Sequence, residues 1–489
     1  MKKHIFLALL LCLGLGACEE YLDVNEDPNR NATTTPDNLL PAILANLNYN
    51  LYEASDLTSY IVQYLTTSSG ATTRDRWTFH KQLRFGLWRR HYFDVGSNVH
   101  HLIESANHEE ANNYLGVAKV VGVLSTGMTT DFFGDMPYTE AFTGNVSPAY
   151  DPQEVIYQGI LKELDEAVAH LEQSGPNDFP MTEEADFVYS GDVNKWKNFA
   201  YALKARYLLH LSKRENHYAE ILELTDKALR GTADWVDPEL VYEENTTDNW
   251  LKNPFGPSRA RPSWAETANY LHLSVPTEFF INAMIHNGYI DPRLPLIMTP
   301  SEDGKYRYGI PTNGIAPLKL EDFPSLYDGY YTKDHSPIPY MLESEVWFIE
   351  AEAAFQSGKT DRAFQAYENG IRVHMKKLGV DEAAIGEYLQ QDFIAVDANE
   401  LTLSHIMMQK YIAGYLSPET WVDLRRHDYS EEVYPGLELP EFIDDDLEGK
   451  WIRRFPYDPQ TEYIYNLPEI ERLGAQAPNF TTTRVWWDK

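Results

Sequence analysis

The stretch YMLESEVWFIEAEAAFQSGKTDRAFQAYENGIRVHMKKLG, residues 340–379, decides the fold. It reads as two helices joined by a tight turn. The first runs to about Ser357, Gly358 and Lys359 turn the chain, and Thr360 or Asp361 caps a second helix that carries Ala363, Tyr367 and Ile371 inward. Small side chains at Ala353 and Ala363 let the two helices approach closely.

The same periodicity extends outward from this hairpin. In residues 151–175 the apolar positions Ile156, Ile160, Leu164, Val168 and Leu171 recur every three or four residues, with Asp151 as the expected N-cap, Pro152 at the first helical position and Gly175 past the end. Residues 193–214 repeat the pattern through Trp196, Phe199, Leu203, Tyr207 and Leu211, and residues 217–231 through Ile221, Leu222, Thr225 and Leu229. The spacing A-E-A-x-x-x-x-G-x-x-x-x-A in the hairpin resembles a tetratricopeptide unit, although no clean 34-residue array runs through the chain. The expected class is therefore all-α, mainly helical, with tetratricopeptide-like helix pairs as a scaffold. Between residues 232 and 339 prolines and glycines accumulate and periodicity fades. A loop of that length is expected to be a ligand-binding face held up by the helices.

The first 17 residues read as a signal peptide: Lys2 and Lys3, an apolar run from Ile5 to Leu15, then Gly16 and Ala17. The run is too short to span a bilayer, which takes about 20 apolar residues. Leu15-Gly16-Ala17-Cys18 looks like a bacterial lipobox, which makes Cys18 the expected lipidation site and first mature residue. Acyl chains contribute about 0.8 kcal/mol per buried CH₂ to membrane attachment. Residues 18–38 read as a polar tether and 39–489 as a single helical domain. Asp23, Asn25 and Asp27 alternate as in a calcium loop, but Pro28 stands where glycine is needed and Thr34 where the bidentate glutamate is needed, so no metal is expected there.

The only other cysteine, Cys12, leaves with the signal, which excludes disulfides, cysteine–zinc sites and a thiol nucleophile. With 74 acidic against 41 basic residues and a formal charge of −33, the chain repels nucleic acid. No zinc-helix pair, nucleophile elbow, phosphate loop or dinucleotide fingerprint occurs, and no cofactor is expected. His100, His101 and Glu104 share a helix, but adjacent imidazoles diverge by about 100°. Asp131 and Asp135, in TDFFGDMPYTEAF (130–142), invite comparison with a glycosidase pair, yet the glycine and phenylalanines between them argue for a packed helix end.

Several segments together resemble one family: DFFGDMPYTEAF (131–142), YDPQEVIYQGILKELDEAVAHL (150–171), the hairpin SEVWFIEAEAAFQSGKTDRAF (344–364), RRFPYDPQTEYIYN (453–466) and RVWWDK (484–489). In this order they are similar to the SusD/RagB family of Bacteroidetes surface lipoproteins. The acidic residues after Cys18 fit the export tag of that phylum's surface lipoproteins. The resemblance implies a lipid-anchored outer-membrane protein facing the cell exterior. It implies a SusC-like TonB-dependent transporter as partner and a glycan, or in some branches a peptide, as cargo. A surface glycoside hydrolase and a purely structural transporter lid stand as competing readings.

No motif fixes the ligand site, so its candidates come from local chemistry. Arg76 and Trp77, beside Arg74 and Asp75, offer a flat face next to donors and an acceptor; Trp264 and the tyrosines Tyr327, Tyr330 and Tyr331 lie in the irregular region. Trp486 and Trp487 are expected to pin the tail.

Overall fold

The structure, a computed structural model, describes residues 34–81, 86–244, 247, 251–259 and 269–489. Its frame is four helix pairs stacked in chain order. Helix α1 (Pro36–Ile61) packs on α2 (Ser97–His108), α3 (Asn112–Phe133) on α4 (Gln153–Gln173), and α5 (Val193–His210) on α6 (Tyr218–Arg230). The irregular region carries α7 (Glu278–Met284), and after it comes the fourth pair, α8 (Glu343–Gln356) and α9 (Thr360–Leu378). Successive pairs meet through α2 with α3, α4 with α5, and α6 with α8; α11 (Leu403–Ala413), which follows α10 (Glu382–Tyr388), packs on α8 and α9, and α12 (Glu419–Arg426) contacts α5. The mainly helical, tetratricopeptide-like scaffold expected from periodicity is present. Helix α1 begins at Pro36, inside the segment read as tether.

The hairpin turns where the sequence says it does. Gly358 takes φ +72°, a conformation that side chains disfavour, and a Cβ on Gly370 would lie 2.8 Å from the Phe348 ring, so glycine sets the α8–α9 separation. Ala353, Ala363, Tyr367 and Ile371 are all buried. The two glutamates of the hairpin motif are buried as well. Glu350 accepts from Arg230 at 2.9 and 3.1 Å and from Arg362 at 2.8 Å, and Glu352 receives Arg426 bidentately at 2.8 Å twice, so α8 is clamped to α6 and α12 through charge-assisted bonds.

One local expectation shifts. Helix α4 starts at Gln153 with Pro152 as its cap, because the Asp151 carboxylate turns away to accept from the Tyr138 and Thr139 amides at 3.0 and 2.8 Å. The first helical N–H, that of Gln153, goes to Asp135 at 3.1 Å. One carboxylate of the suspected glycosidase pair is thus a helix cap.

The described residues between 232 and 339 form an excursion, carrying α7, whose ends are zipped together: Glu239 pairs with Pro339 and Leu240 with Ile338, antiparallel. A second short ladder joins Leu65–Thr67 to Ser274–Pro276 and ties the excursion to the end of α1. Asp75 anchors this corner. Its buried carboxylate accepts from the Thr67 amide at 2.8 Å, from the Thr66 hydroxyl at 2.9 Å, from the Thr72 amide and hydroxyl at 3.1 and 2.8 Å, and from the Thr67 hydroxyl. Asp75→Ala leaves several of these donors buried and unpaired and is expected to lower stability by about 3 kcal/mol, read from the urea midpoint. An unchanged midpoint would mean that water replaces the carboxylate.

Candidate functional site

The site grows from the C-terminal half of α1. Tyr49, Glu53, Asp56 and Tyr60 follow at spacings that put them on one helix face, a strip about 16 Å long at 1.5 Å per residue. Opposite the strip, a four-residue turn of helix, Thr73–Arg76, presents Arg74. The Arg74 guanidinium ion-pairs with Asp56 and lies 3.7 Å from the Tyr270 ring centroid and 5.8 Å from that of Tyr60. Burial works against the Arg74 charge, but Asp56 more than offsets it and holds the pKa above the ordinary arginine value. Further along, Arg90 bonds Glu53 at 2.6 Å and sits 4.2 Å from the Tyr49 centroid, with Arg259 at 6.0 Å from the same ring.

Ring edges complete the strip. Tyr52 lies 5.3 Å from Tyr49 and 4.8 Å from Phe255, both edge-on. Tyr327 donates its hydroxyl to Asn269 Oδ1 at 2.8 Å, while the Asn269 amide holds the Pro254 and Gly256 carbonyls. Burial raises the hydroxyl pKa of Tyr49, Tyr52 and Tyr327, so all three stay protonated donors. The solvent-facing parts are the half-buried Tyr49, Glu53, Arg74, Arg90, Tyr270 and Tyr327; the buried Asp56 holds Arg74 against the Tyr270 ring. Half-exposed rings beside paired charges suit a flat, hydroxyl-rich ligand, whose C–H faces cover the rings while its hydroxyls exchange bonds with the polar neighbours.

The sequence-derived candidates divide. Tyr327 joins the strip. Arg76 is exposed on a rim where its carbonyl accepts the Asp444 N–H at 3.0 Å. On that rim Lys81 bridges Asp444 and Asp446, and His80 meets Asp446 at 3.1 Å. Phe442, 48% exposed, donates its N–H to Thr312 Oγ1 at 3.1 Å beside it. Trp77 requires a correction: its side chain is 0% exposed and packs 5.4 Å from Trp451, because a left-handed backbone at φ +55° folds the ring into the core. Tyr331 is also buried, its hydroxyl 3.1 Å from His374 Nε2, with the half-buried Tyr330 edge-on at 5.0 Å, so this pair packs beside α9, apart from the strip. Trp264, Cys18 and the Asp23–Asp27 run lie outside the described residues.

Sequence reasoning missed Tyr49, Asp56, Arg74 and Tyr270 as one unit. The available signal was the replacement of aliphatic residues by tyrosines and acids along one face of α1.

A rigid stack of helix pairs that holds up a loop-built face of rings and paired charges is an architecture suited to binding. The model of the SusD-like family, described as "Starch-binding associating with outer membrane", matches residues 28–457, and the chain belongs to that family. Among solved structures, it is similar to a SusD homologue from Bacteroides fragilis NCTC 9343 at 21% identity and TM-score 0.71, covering 94% of this chain and 100% of that one. A chitin-binding SusD homologue from Flavobacterium johnsoniae aligns at 22% identity and TM-score 0.73, over 92% and 99%. A SusD/RagB family protein from Bacteroides thetaiotaomicron VPI-5482 aligns at 21% and 0.68, over 93% and 99%. No functionally curated protein matches the chain. Among the described residues no helix is long and apolar enough to cross a membrane.

Proposed function

We propose that this protein is a non-enzymatic, cell-surface lipoprotein that captures an oligosaccharide on the α1 strip and delivers it to a SusC-like TonB-dependent transporter of the outer membrane. The observation that carries the reading is the strip itself: Tyr270 held by the Arg74–Asp56 pair, Tyr49 against Arg90, and Tyr327 bonded to Asn269, the residue before Tyr270. The family description and the chitin-binding relative support a glycan as cargo. Diacylglycerol on Cys18 is the anchor, and the residues between it and the start of α1 at Pro36 are its link to the helical body. An open apolar groove of about 510 Å³ supports the transporter partner. Phe93 is 66% exposed, Val146 81% and Tyr465 59% at its edge, an exposure expected of a surface that is covered in an assembly. Phe142 of this groove stacks on His100 of α2, and the same helix meets Thr34 through the Ser105 hydroxyl, which donates to its carbonyl at 2.7 Å.

The test is calorimetry of the full chain against chito-oligosaccharides, malto-oligosaccharides and peptide mixtures, with product analysis after long incubation. Tyr270→Ala is expected to weaken glycan binding about tenfold, the loss of roughly one stacking contact, with thermal stability nearly unchanged. Undiminished affinity in that variant removes the strip from the site. Peptide binding moves the cargo to the other branch, and released products make the protein a hydrolase.

A further inference from the structure

A second concavity, of about 340 Å³, opens between α7, α9, α11 and the loop at Pro435, and it shares no residue with the strip. Its volume is at the lower end of the roughly 300–1,000 Å³ typical of small-molecule sites. One wall is a stacked pair, the His286 imidazole on the Phe393 ring with centroids 4.0 Å apart and planes 25° from parallel. Phe279, Met408 and Ile412 line it with apolar surface.

The polar groups are all neutral. None of its described lining residues is Asp, Glu, Lys or Arg, in a chain with 74 acidic side chains. His286 donates from Nε2 to the Ala283 carbonyl at 3.1 Å, which leaves Nδ1 as an acceptor. His405 accepts the Thr402 N–H on Nδ1 at 3.2 Å, which puts its proton on Nε2. Burial draws both imidazoles below the usual histidine pKa, so both are uncharged at neutral pH. The Gln409 amide is already committed to Arg293 at 2.8 Å and Tyr388 at 2.9 Å; the Asn282 amide and the Ser404 hydroxyl remain at the opening. An ion entering here would lose hydration and meet no charged group in the lining, since Asp291, Asp392 and Glu400, near enough to act on the two imidazoles, do not line the cleft; a flat neutral ring would find an aromatic wall, a thioether and amide or hydroxyl partners.

We propose that this cleft is a second binding site, separate from the glycan strip, for a small uncharged aromatic or heteroaromatic molecule carrying one or two hydrogen-bonding groups. The probes are three fluorinated isosteres followed by fluorine NMR on the full chain: neutral 4-fluorobenzamide, anionic 4-fluorobenzoate and cationic 4-fluorobenzylamine. The benzamide is expected to bind saturably and at least tenfold more tightly than either ion. Ser404→Phe, which fills the opening, is expected to abolish the signal while oligosaccharide binding is retained. Equal binding of the three probes, or no saturable binding of the benzamide, overturns the proposal. Crystals of the unaltered chain soaked with 4-bromobenzamide give a check that needs no variant: bromine density between Phe393 and Met408 is the expected result, and density only elsewhere overturns the proposal.

Discussion

Asp131→Ala is expected to destabilise the protein by about 3–5 kcal/mol, the usual cost of removing one partner from a buried charged network. Asp131 is 2% exposed and collects three groups from distant parts of the chain. Its Oδ1 accepts from the Trp487 indole at 2.8 Å and from the Tyr157 hydroxyl, and its Oδ2 lies 3.3 Å from His210 Nδ1. His210 is bound on its other side to Glu419 at 2.6 Å. Without Asp131 the indole N–H loses its partner, and the imidazolium keeps Glu419 as its one carboxylate beside the Tyr157 hydroxyl at 2.9 Å. Urea unfolding followed by tryptophan fluorescence reads the loss, and a variant within about 1 kcal/mol of the parent would mean that the network is dispensable.

The same cluster sets a pH dependence with a definite sign. Burial alone would discharge His210, but Glu419 and Asp131 more than offset it and raise its pKa to about 9. A folded pKa above the unfolded value near 6.5 means the stabilisation is complete below about pH 6.5 and disappears as pH rises through about 9. Glu419 is held down to about 2: burial opposes its charge, and His210 and Arg206 overcome it, so its contribution is lost only as pH falls from about 4.5 through 2. Stability should therefore decline from pH 6.5 to above 9, and His210→Gln should flatten that limb. A parent profile flat over this window would remove the charged imidazole from the account.

Trp77→Ala is expected to cost about 3–5 kcal/mol, as for other large-to-small changes at fully buried aromatics. The ring has 0% exposure and a neighbour in Trp451, which itself stacks on Tyr429 with centroids 4.2 Å apart and planes 6° from parallel. Deleting the indole opens a cavity next to this stack. Trp77→Gly should recover about 1 kcal/mol relative to alanine, because the position has φ +55°. Thermal or urea midpoints of the two variants test this. A stable Trp77→Ala protein with weakened glycan binding would return the ring to the ligand site.

Most of the scaffold was legible because burial on a helix leaves a periodic record. Ile156, Ile160, Leu164 and Leu171 are all inside, as their spacing requires, and Gly358 turns the hairpin as its φ demands. The cap of α4 was not legible, since the choice between Asp151 and Asp135 depends on which carboxylate the neighbouring loop amides recruit. The site was harder still. Arg74, Tyr270 and Asp56 meet only through tertiary folding, and Trp77, with a basic neighbour on the same turn, carries no mark in the sequence of the left-handed step that buries it. The burial of Glu350 and Glu352 was not legible either, because their partners Arg230, Arg362 and Arg426 come from three other helices.

The short turn Trp486–Asp488 seats in a centre built by distant parts of the chain. Trp487 fills the space beside Asp131 in the centre of the stack, and Asp488, wholly buried, holds Arg453 at 2.8 Å and Lys213 at 2.9 Å. Until that segment docks, Lys213 and Arg453 have only the half-exposed Asp428 as a carboxylate partner, and Asp131 lacks its indole donor. Docking of the 484–488 segment is therefore a late, long-range step of folding, one that closes a centre already lined by α3, α4 and α5.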